Sequence, residues 1–357
     1  MKKALLLLAC SSLYQIAFSQ TVLKADGPGD TYELISSVLA PGQNPIEVPD
    51  CGHTGFGRHI DEVFDADLNA HAFRFYIHTH LDDDRCRTFD RQRNEIKTYS
   101  QSPDSLLGVK NETVQYRWKF KLPTGFQPSS SFTHLHQIKA VGGSQSSMPQ
   151  ITLTARKATP NRLELRYAEN LSQTTLTQVE LAPFLGNWVE ATETITYGEK
   201  GVGKFAIIVT RISNNDTLLQ YASDDIRMWK TNATFQRPKW GIYRSLNDST
   251  SLRDETVLFA DISIEELDGS TVSLPQEDLG VYGFPVYPNP TKDVLVLADW
   301  VMERCDHIAI STLDGKVVLS EQITANKVAV THLDAGVYML EVASRGGLRK
   351  VVKVVVE

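Results

Sequence analysis

Nine short runs of alternating or β-branched residues, at 73–78, 116–122, 132–140, 151–155, 162–167, 188–197, 205–212, 240–244 and 257–265, constrain this chain more than any other feature. A period of two sends successive side chains to opposite faces, so each run can bury one face and wet the other. The stretches between them carry turn residues, as in Pro123-Thr124-Gly125 and Asn214-Asn215-Asp216. Helical spacing is scarce and is expected near 61–69, where Val63, Phe64 and Leu68 share a face. Many short strands with almost no amphipathic helix predict an all-β sandwich or jelly roll.

Three strand-like segments carry chemistry: Arg93-Asn94-Glu95-Ile96-Lys97, Gln137-Ile138-Lys139 and Lys239-Trp240-Gly241-Ile242-Tyr243. In each, polar residues alternate with apolar or small ones, so one face can pack while the other presents charge and hydrogen-bond donors. Together they would line a groove with cations, an amide and a phenol, which suits an acidic sugar polymer. Arg85, Arg87 and Arg91 extend the positive patch. A net charge of −7 and a pI near 5.8 nonetheless exclude a general nucleic-acid binder. With 357 residues, 41% hydrophobic and 22% charged, the chain can build one large or two smaller cores, and a monomer is expected.

Residues 1–19 read as a signal peptide: Lys2-Lys3, an apolar stretch from Ala4 to Ala9, and Ala17-Phe18-Ser19 as the cleavage site. Leu7-Leu8-Ala9-Cys10 resembles a lipoprotein box, but only six apolar residues precede Cys10, so ordinary cleavage is expected. No later stretch reaches the roughly 20 apolar residues of a membrane helix, and a soluble exported protein is expected. In an oxidising compartment Cys51 and Cys86 are the expected disulfide, with Cys305 buried elsewhere as a small hydrophobe. The first domain is expected over 20–268, followed by a polar linker over 269–283 and a small all-β domain over 284–357. In the last, Asp314-Gly315 between apolar runs predicts a hairpin.

That final region, through Tyr287-Pro288-Asn289-Pro290, Leu313-Asp314-Gly315-Lys316, Leu333 to Tyr338 and the closing Lys-Val-Val-Lys-Val-Val-Val-Glu, resembles the type A C-terminal sorting domain of the type IX secretion system. The resemblance implies passage across the outer membrane by that machinery, then release or attachment at the surface. A carbohydrate-binding β-sandwich is the alternative for this region.

In the first domain, Arg93-x-Glu95-Ile96-Lys97 resembles the Arg-x-Glu-Leu-Arg strand of alginate lyases of polysaccharide lyase family 7. Gln137-Ile138-Lys139 stands where those enzymes have Gln-Ile-His, and Lys239 to Tyr243 where they have Phe-Lys-x-Gly-x-Tyr. The wider sequence, including Asp84-Arg85-Cys86 and Arg237-Pro238-Lys239-Trp240-Gly241-Ile242-Tyr243-Arg244-Ser245, is similar to the heparin lyase I-like and ulvan lyase jelly-roll families. The resemblance implies β-elimination on a uronate-containing glycan: loss of the C5 proton, expulsion of the C4 oxygen, and a C4=C5 double bond.

Such a site must offset charge that spreads into the uronate carboxylate. Gln137 and Arg93 are the expected neutralisers, since an amide and a guanidinium fork both donate to carboxylates. Tyr243 is the expected acid/base, its pKa lowered by nearby cations including Lys239. Lys139 replaces the family's histidine; it is either a base with a lowered pKa, as the ulvan lyase resemblance implies, or a substrate-binding cation that leaves both proton transfers to Tyr243. Lys97, Lys239 and Arg91 are expected to bind substrate, with Glu95 holding the cations in place. On a regular strand His134 and His136 point inward, and a bulge would bring His136 into the groove as a reserve base.

No metal is expected. The pairs His78-Thr79-His80 and His134-Leu135-His136 lack a further ligand at defined spacing. Asp82-Asp83-Asp84 reads as a solvated loop, with calcium as the alternative. Trp118, Trp188 and Trp240 could stack on sugars, but alternation puts Trp240 in the core. The rival functions are a non-catalytic carbohydrate-binding protein and a jelly-roll glycoside hydrolase, which would need two facing carboxylates about 5 to 9 Å apart.

Overall fold

The computed structural model describes residues 20–267, 286, 288–297, 301–302, 305–312, 316–343 and 349–357. The expected signal peptide and linker lie outside the described residues. The chain divides into two compact units, with the division at Leu274 and Pro275.

The first unit runs β1 (Thr21–Leu23), α1 (Thr31–Leu39), β2 (Ile46–Glu47), β3 (Ile60–Asp65), β4 (Ala70–Ile77), β5 (Arg91–Lys97), β6 (Thr113–Lys121) and β7 (Thr133–Val141). It continues through β8 (Ile151–Arg156), β9 (Arg162–Tyr167), β10 (Thr174–Glu180), β11 (Trp188–Thr196), β12 (Lys204–Arg211), β13 (Thr217–Ser223), β14 (Phe235–Ser245) and β15 (Glu255–Leu267). Two antiparallel sheets form a jelly-roll sandwich. One has the order β13-β12-β11-β6-β15-β4-β3, with β1 on β15; the other has the order β10-β9-β8-β7-β14-β5-β2.

Alternation explains the sandwich. Tyr116, Trp118 and Phe120 of β6 face Ile138 of β7 and Trp240 and Ile242 of β14 in one buried cluster. Trp118 and Trp240 meet edge to face at 6.3 Å, closing the space between the sheets. Each large apolar side chain removed from water contributes about 1.5–3 kcal/mol, so this layer dominates the stability. None of the three tryptophans considered for sugar stacking lies open: Trp118 and Trp240 are core, and Trp188 is buried with its indole N–H donated to Asp65.

The expected helix at 61–69 is instead β3 and the turn after it, paired with β4 from Ile60↔Phe75 to Asp65↔Ala70. Sheet pairing supplies Glu62 and Val63 with ladder partners, which overrides a short helical pattern. The helix that forms is α1, where Leu34, Ile35, Val38 and Leu39 carry the apolar face and pack on the core. Edge strands β10 and β13 are largely exposed, with little apolar alternation to reveal them.

In the second unit β16 (Val294–Val296) pairs with β19 (Lys327–Ala329). β17 (His307–Thr312), β18 (Val317–Gln322), β20 (Gly336–Ala343) and β21 (Arg349–Val356) form a sheet in the order β18-β17-β20-β21. β17 pairs antiparallel with β18, and the hairpin turn expected at Asp314-Gly315 lies outside the described residues. Cys305 is buried in this unit's core with Leu295, Ile308 and Leu340.

Gly241 sits in β14 opposite Glu95 with φ of +143°, and a Cβ there would lie 2.1 Å from the Asn94 carbonyl oxygen. The glycine is what lets β5 approach β14 beside Tyr243. Gly241→Ala is expected to cost about 3 kcal/mol through overpacking and backbone strain, measured by urea unfolding. A cost below about 0.5 kcal/mol would show that β5 and β14 separate freely here.

Candidate active site in the cationic groove

The outer face of the β2-β5-β14-β7-β8 sheet collects the predicted residues into rows. Tyr243 pairs with Arg93 on one side and His134 on the other, and His134 pairs with Thr154. One row further along, Lys239 lies between Lys97 and Gln137, and Gln137 pairs with Thr152. Beyond that, Arg237 pairs with Lys139. Neighbouring strands are about 4.8 Å apart, so Arg93, Tyr243 and His134 are adjacent.

The floor is a lattice of buried charge. Arg93 donates to Asp84 from Nε at 2.9 Å and Nη2 at 3.1 Å, and from Nη1 to Glu95 and, at 3.5 Å, to Glu47. Lys239 donates to Glu47 and, at 3.1 Å, to Glu95. Lys97 donates to Glu47 at 2.7 Å, and Arg85 reaches Glu47 at 2.6 Å and Asp84 at 2.7 Å. Burial opposes ionisation of Glu47 and Glu95, but Lys239 and Arg93 outweigh it and hold both well below the usual carboxylate range.

Arg93 and Gln137 are thus already engaged. The three guanidinium nitrogens of Arg93 are taken by carboxylates, its plane stacks 3.6 Å from the Tyr243 ring, and the Gln137 amide donates to Glu95. Lys139 and Arg237 differ: neither pairs with a carboxylate among the described residues, and Lys139 donates only to the Ser147 carbonyl at 3.0 Å. Burial, aided by Lys239 and Arg93, brings Lys139 down to about 8, and burial also lowers Arg237. These are the cations left for a ligand.

Of the two histidines read as inward, His136 is inside, which ends its reserve role, and His134 is not. The register of β7 shifts against β8 between His134 and His136, so Leu135 is an extra residue that joins His136 in the core. The bulge turns His134, rather than His136, into the groove. His136 is wholly buried, stacks on Trp118 at 4.3 Å and bonds Glu193 at 2.9 Å, so it cannot reach a substrate. His134 Nδ1 meets the Thr154 hydroxyl at 2.7 Å, its ring lies 5.8 Å from that of Tyr243, and Nε2 has no partner among the described residues. Burial lowers its pKa to about 3, so it stands neutral.

Tyr243 accepts a hydrogen bond from Arg91 at 3.0 Å and is covered by Phe132. Its pKa is raised rather than lowered, because burial outweighs Arg93 and Arg91. Lys139 lies five positions from His134 on β7, roughly 15 Å along the strand, whereas His134 is directly across from Tyr243. Sequence alternation alone could not foresee this, because one inserted residue exchanges the faces.

The acidic run is not solvated. Asp82, Asp83 and Asp84 are all buried and point to different partners: histidines, the Cys86 amide, and the pair Arg85 and Arg93. They do not converge as a calcium site would require. Cys51 and Cys86 are disulfide-bonded, tying the loop after β2 to this run. Glu47, which anchors Lys97, Lys239 and Arg85, was missed because a two-residue strand leaves no periodic signal.

Replacing Glu47 by Gln would strand several buried cations. A loss of about 3–5 kcal/mol is expected, read as a large fall in the thermal midpoint. An unchanged midpoint would mean the lattice contributes nothing to stability.

Residues 285–357 match a family model described as a secretion system C-terminal sorting domain. This domain implies secretion or attachment at the cell surface. No curated protein matches the chain. Among solved structures, the chain is similar to an endo-β-1,4-glucuronan lyase from the fungus Trichoderma reesei, at 14% identity and TM-score 0.42 over 58% of this chain and 86% of that one. It is similar to a family 14 alginate lyase from Aplysia kurodai, at 13% identity and TM-score 0.46 over 68% and 97%. It is likewise similar to an alginate lyase from Pseudomonas aeruginosa, at 15% identity and TM-score 0.41 over 62% and 97%.

Proposed function

We propose that this protein is a secreted polysaccharide lyase that cleaves an anionic, uronate-containing glycan by β-elimination. The observation that carries the reading is the placement of Tyr243 between Arg93 and His134 on a groove floor of buried ion pairs. His134 Nε2 takes the C5 proton, since the imidazole is neutral and its other nitrogen is engaged by Thr154. Tyr243, held protonated by burial and oriented by Arg91, gives its proton to the departing C4 oxygen. Gln137, Arg93 and Lys239 supply the fixed field that offsets charge on the carboxylate. Lys139 and Arg237, displaced along the strands, bind carboxylates of neighbouring sugars, with Lys97 and Arg91 completing the cationic lining. The sorting domain carries the enzyme through type IX secretion.

Hydrolysis fits less well. A glycosidase needs one carboxyl protonated at its working pH, and both glutamates on the groove floor are held ionised by cations. A binding protein without turnover would account for the cations but not for the pairing of an unpartnered imidazole nitrogen with a phenol.

Purified protein incubated with ulvan, heparin, alginate and glucuronan should raise the ultraviolet absorbance of an unsaturated uronate on at least one of them. Tyr243→Phe and His134→Gln should each lower turnover by about 10²–10⁴ while glycan binding survives. Full activity in either variant would remove that residue from its role.

The pH dependence separates the two readings of Lys139. As a binding ammonium it is charged below about 8 and neutral above, so KM should rise as the pH passes 8, and Lys139→Arg should abolish that rise. A turnover number that climbs through pH 8 and vanishes in Lys139→Arg would instead make Lys139 the base.

A further inference from the structure

We propose that His53, His59, His78 and Asp82 form a transition-metal site of the type that takes Zn²⁺, separate from the groove. Their ligand atoms all lie within 4.8 Å of one another. His53 Nδ1 and His59 Nε2 approach Asp82 Oδ1 at 2.8 and 3.1 Å, and His78 Nδ1 approaches Asp82 Oδ2 at 3.1 Å. In a tetrahedral zinc site with bonds near 2.0–2.1 Å, donor atoms stand about 3.3 Å apart. The contacts to Asp82 would lengthen slightly and the wider pairs, up to 4.8 Å apart, would close as the side chains turn onto an ion.

Four distant positions make this set. His53 lies beyond Cys51, His59 precedes β3, His78 follows directly on β4, and Asp82 lies further along the loop to β5. Pairing of β3 with β4 and the bond from the Tyr76 amide to the His59 carbonyl align His59 with His78. The Cys51–Cys86 disulfide brings the His53 loop alongside Asp82. Neither H-x-H pair forms the site, and His80 is exposed outside it. This is why spacing alone gave no signal.

The groups that would hold these ligands in place are already there. His59 is fully buried, and its Nδ1 bonds Asp50 at 2.7 Å, which leaves Nε2 turned to the cluster. Asp50 is fixed in turn by the Tyr32 hydroxyl at 2.9 Å. A carboxylate behind a metal-binding imidazole sets its tautomer and strengthens it as a ligand. Gln92 donates to the carbonyls of both His78 and Asp82, and the Phe56 ring covers the three imidazoles at 4.4–5.4 Å.

Three imidazoles and one carboxylate suit zinc, whereas calcium takes six to eight oxygens. Four protein ligands close the coordination sphere, so the ion would be structural. Its effect would reach the groove through two residues of chain: Asp82 is a ligand, and Asp84 holds the Arg93 guanidinium beneath Tyr243.

The test uses untagged full-length protein, stripped with a chelator and titrated with ZnCl₂ or CaCl₂. Expected are about one zinc per chain by mass spectrometry of the metal content, and a rise in thermal midpoint with zinc but not calcium. His53→Ala, on the partly exposed loop, should abolish stoichiometric retention, and Asp50→Asn should weaken zinc affinity about 10- to 100-fold with the chain still folded. Absence of zinc binding in the wild type, or equal binding in wild type and His53→Ala, would overturn the proposal. Metal content and midpoint are read without substrate, so failure of the lyase assignment would leave this result standing.

Discussion

Buried carboxylates facing buried cations on one sheet face are the interaction on which the groove depends. Glu47, Asp84 and Glu95 are shared among Arg85, Arg93, Lys97 and Lys239, all but Arg85 being buried residues. Desolvating so many charges is costly, and only mutual pairing with nearly saturated hydrogen bonding offsets it. The lattice therefore resists rearrangement. It fixes Arg93 under the Tyr243 ring and sets a strong local field without leaving those cations free to be neutralised by solvent ions.

A second constraint is the bulge shared by β7 and β14. On β14, Gly241 and Ile242 stand against the single Leu135 of β7, and the same Leu135 has no partner on β8. The result is a groove that carries His134 and Tyr243 side by side while His136 and Trp240 fill the core. Had β7 been regular, His134 would face inward with His136. One residue thus decides whether the site has an imidazole.

The sandwich was legible because its strands alternate strongly: Tyr116, Trp118 and Phe120 announce an inner face, and the charges of Arg93, Glu95 and Lys97 an outer one. Alternation placed the polar side chains of 93–97, 137–139 and 239–243 on one face of each strand, the family resemblance implied that the three share a groove, and the structure has them on adjacent strands. What alternation could not carry was the departure from it. His134 needed the bulge, and Glu47 needed tertiary pairing of a two-residue strand. The raised pKa of Tyr243 needed a measure of burial, since its neighbours alone pointed the other way. The histidine cluster near Asp82 is assembled by three loops and the expected disulfide, and the spacing of its ligands along the chain gives no sign of it.

The proposed reaction breaks a glycosidic bond by elimination and not by adding water. The most direct measurement is the mass of both fragments released from a uronate oligosaccharide of defined length. Elimination predicts fragment masses that sum to that of the substrate, with the unsaturation in one fragment. A sum larger by one water molecule would mean hydrolysis and rule elimination out.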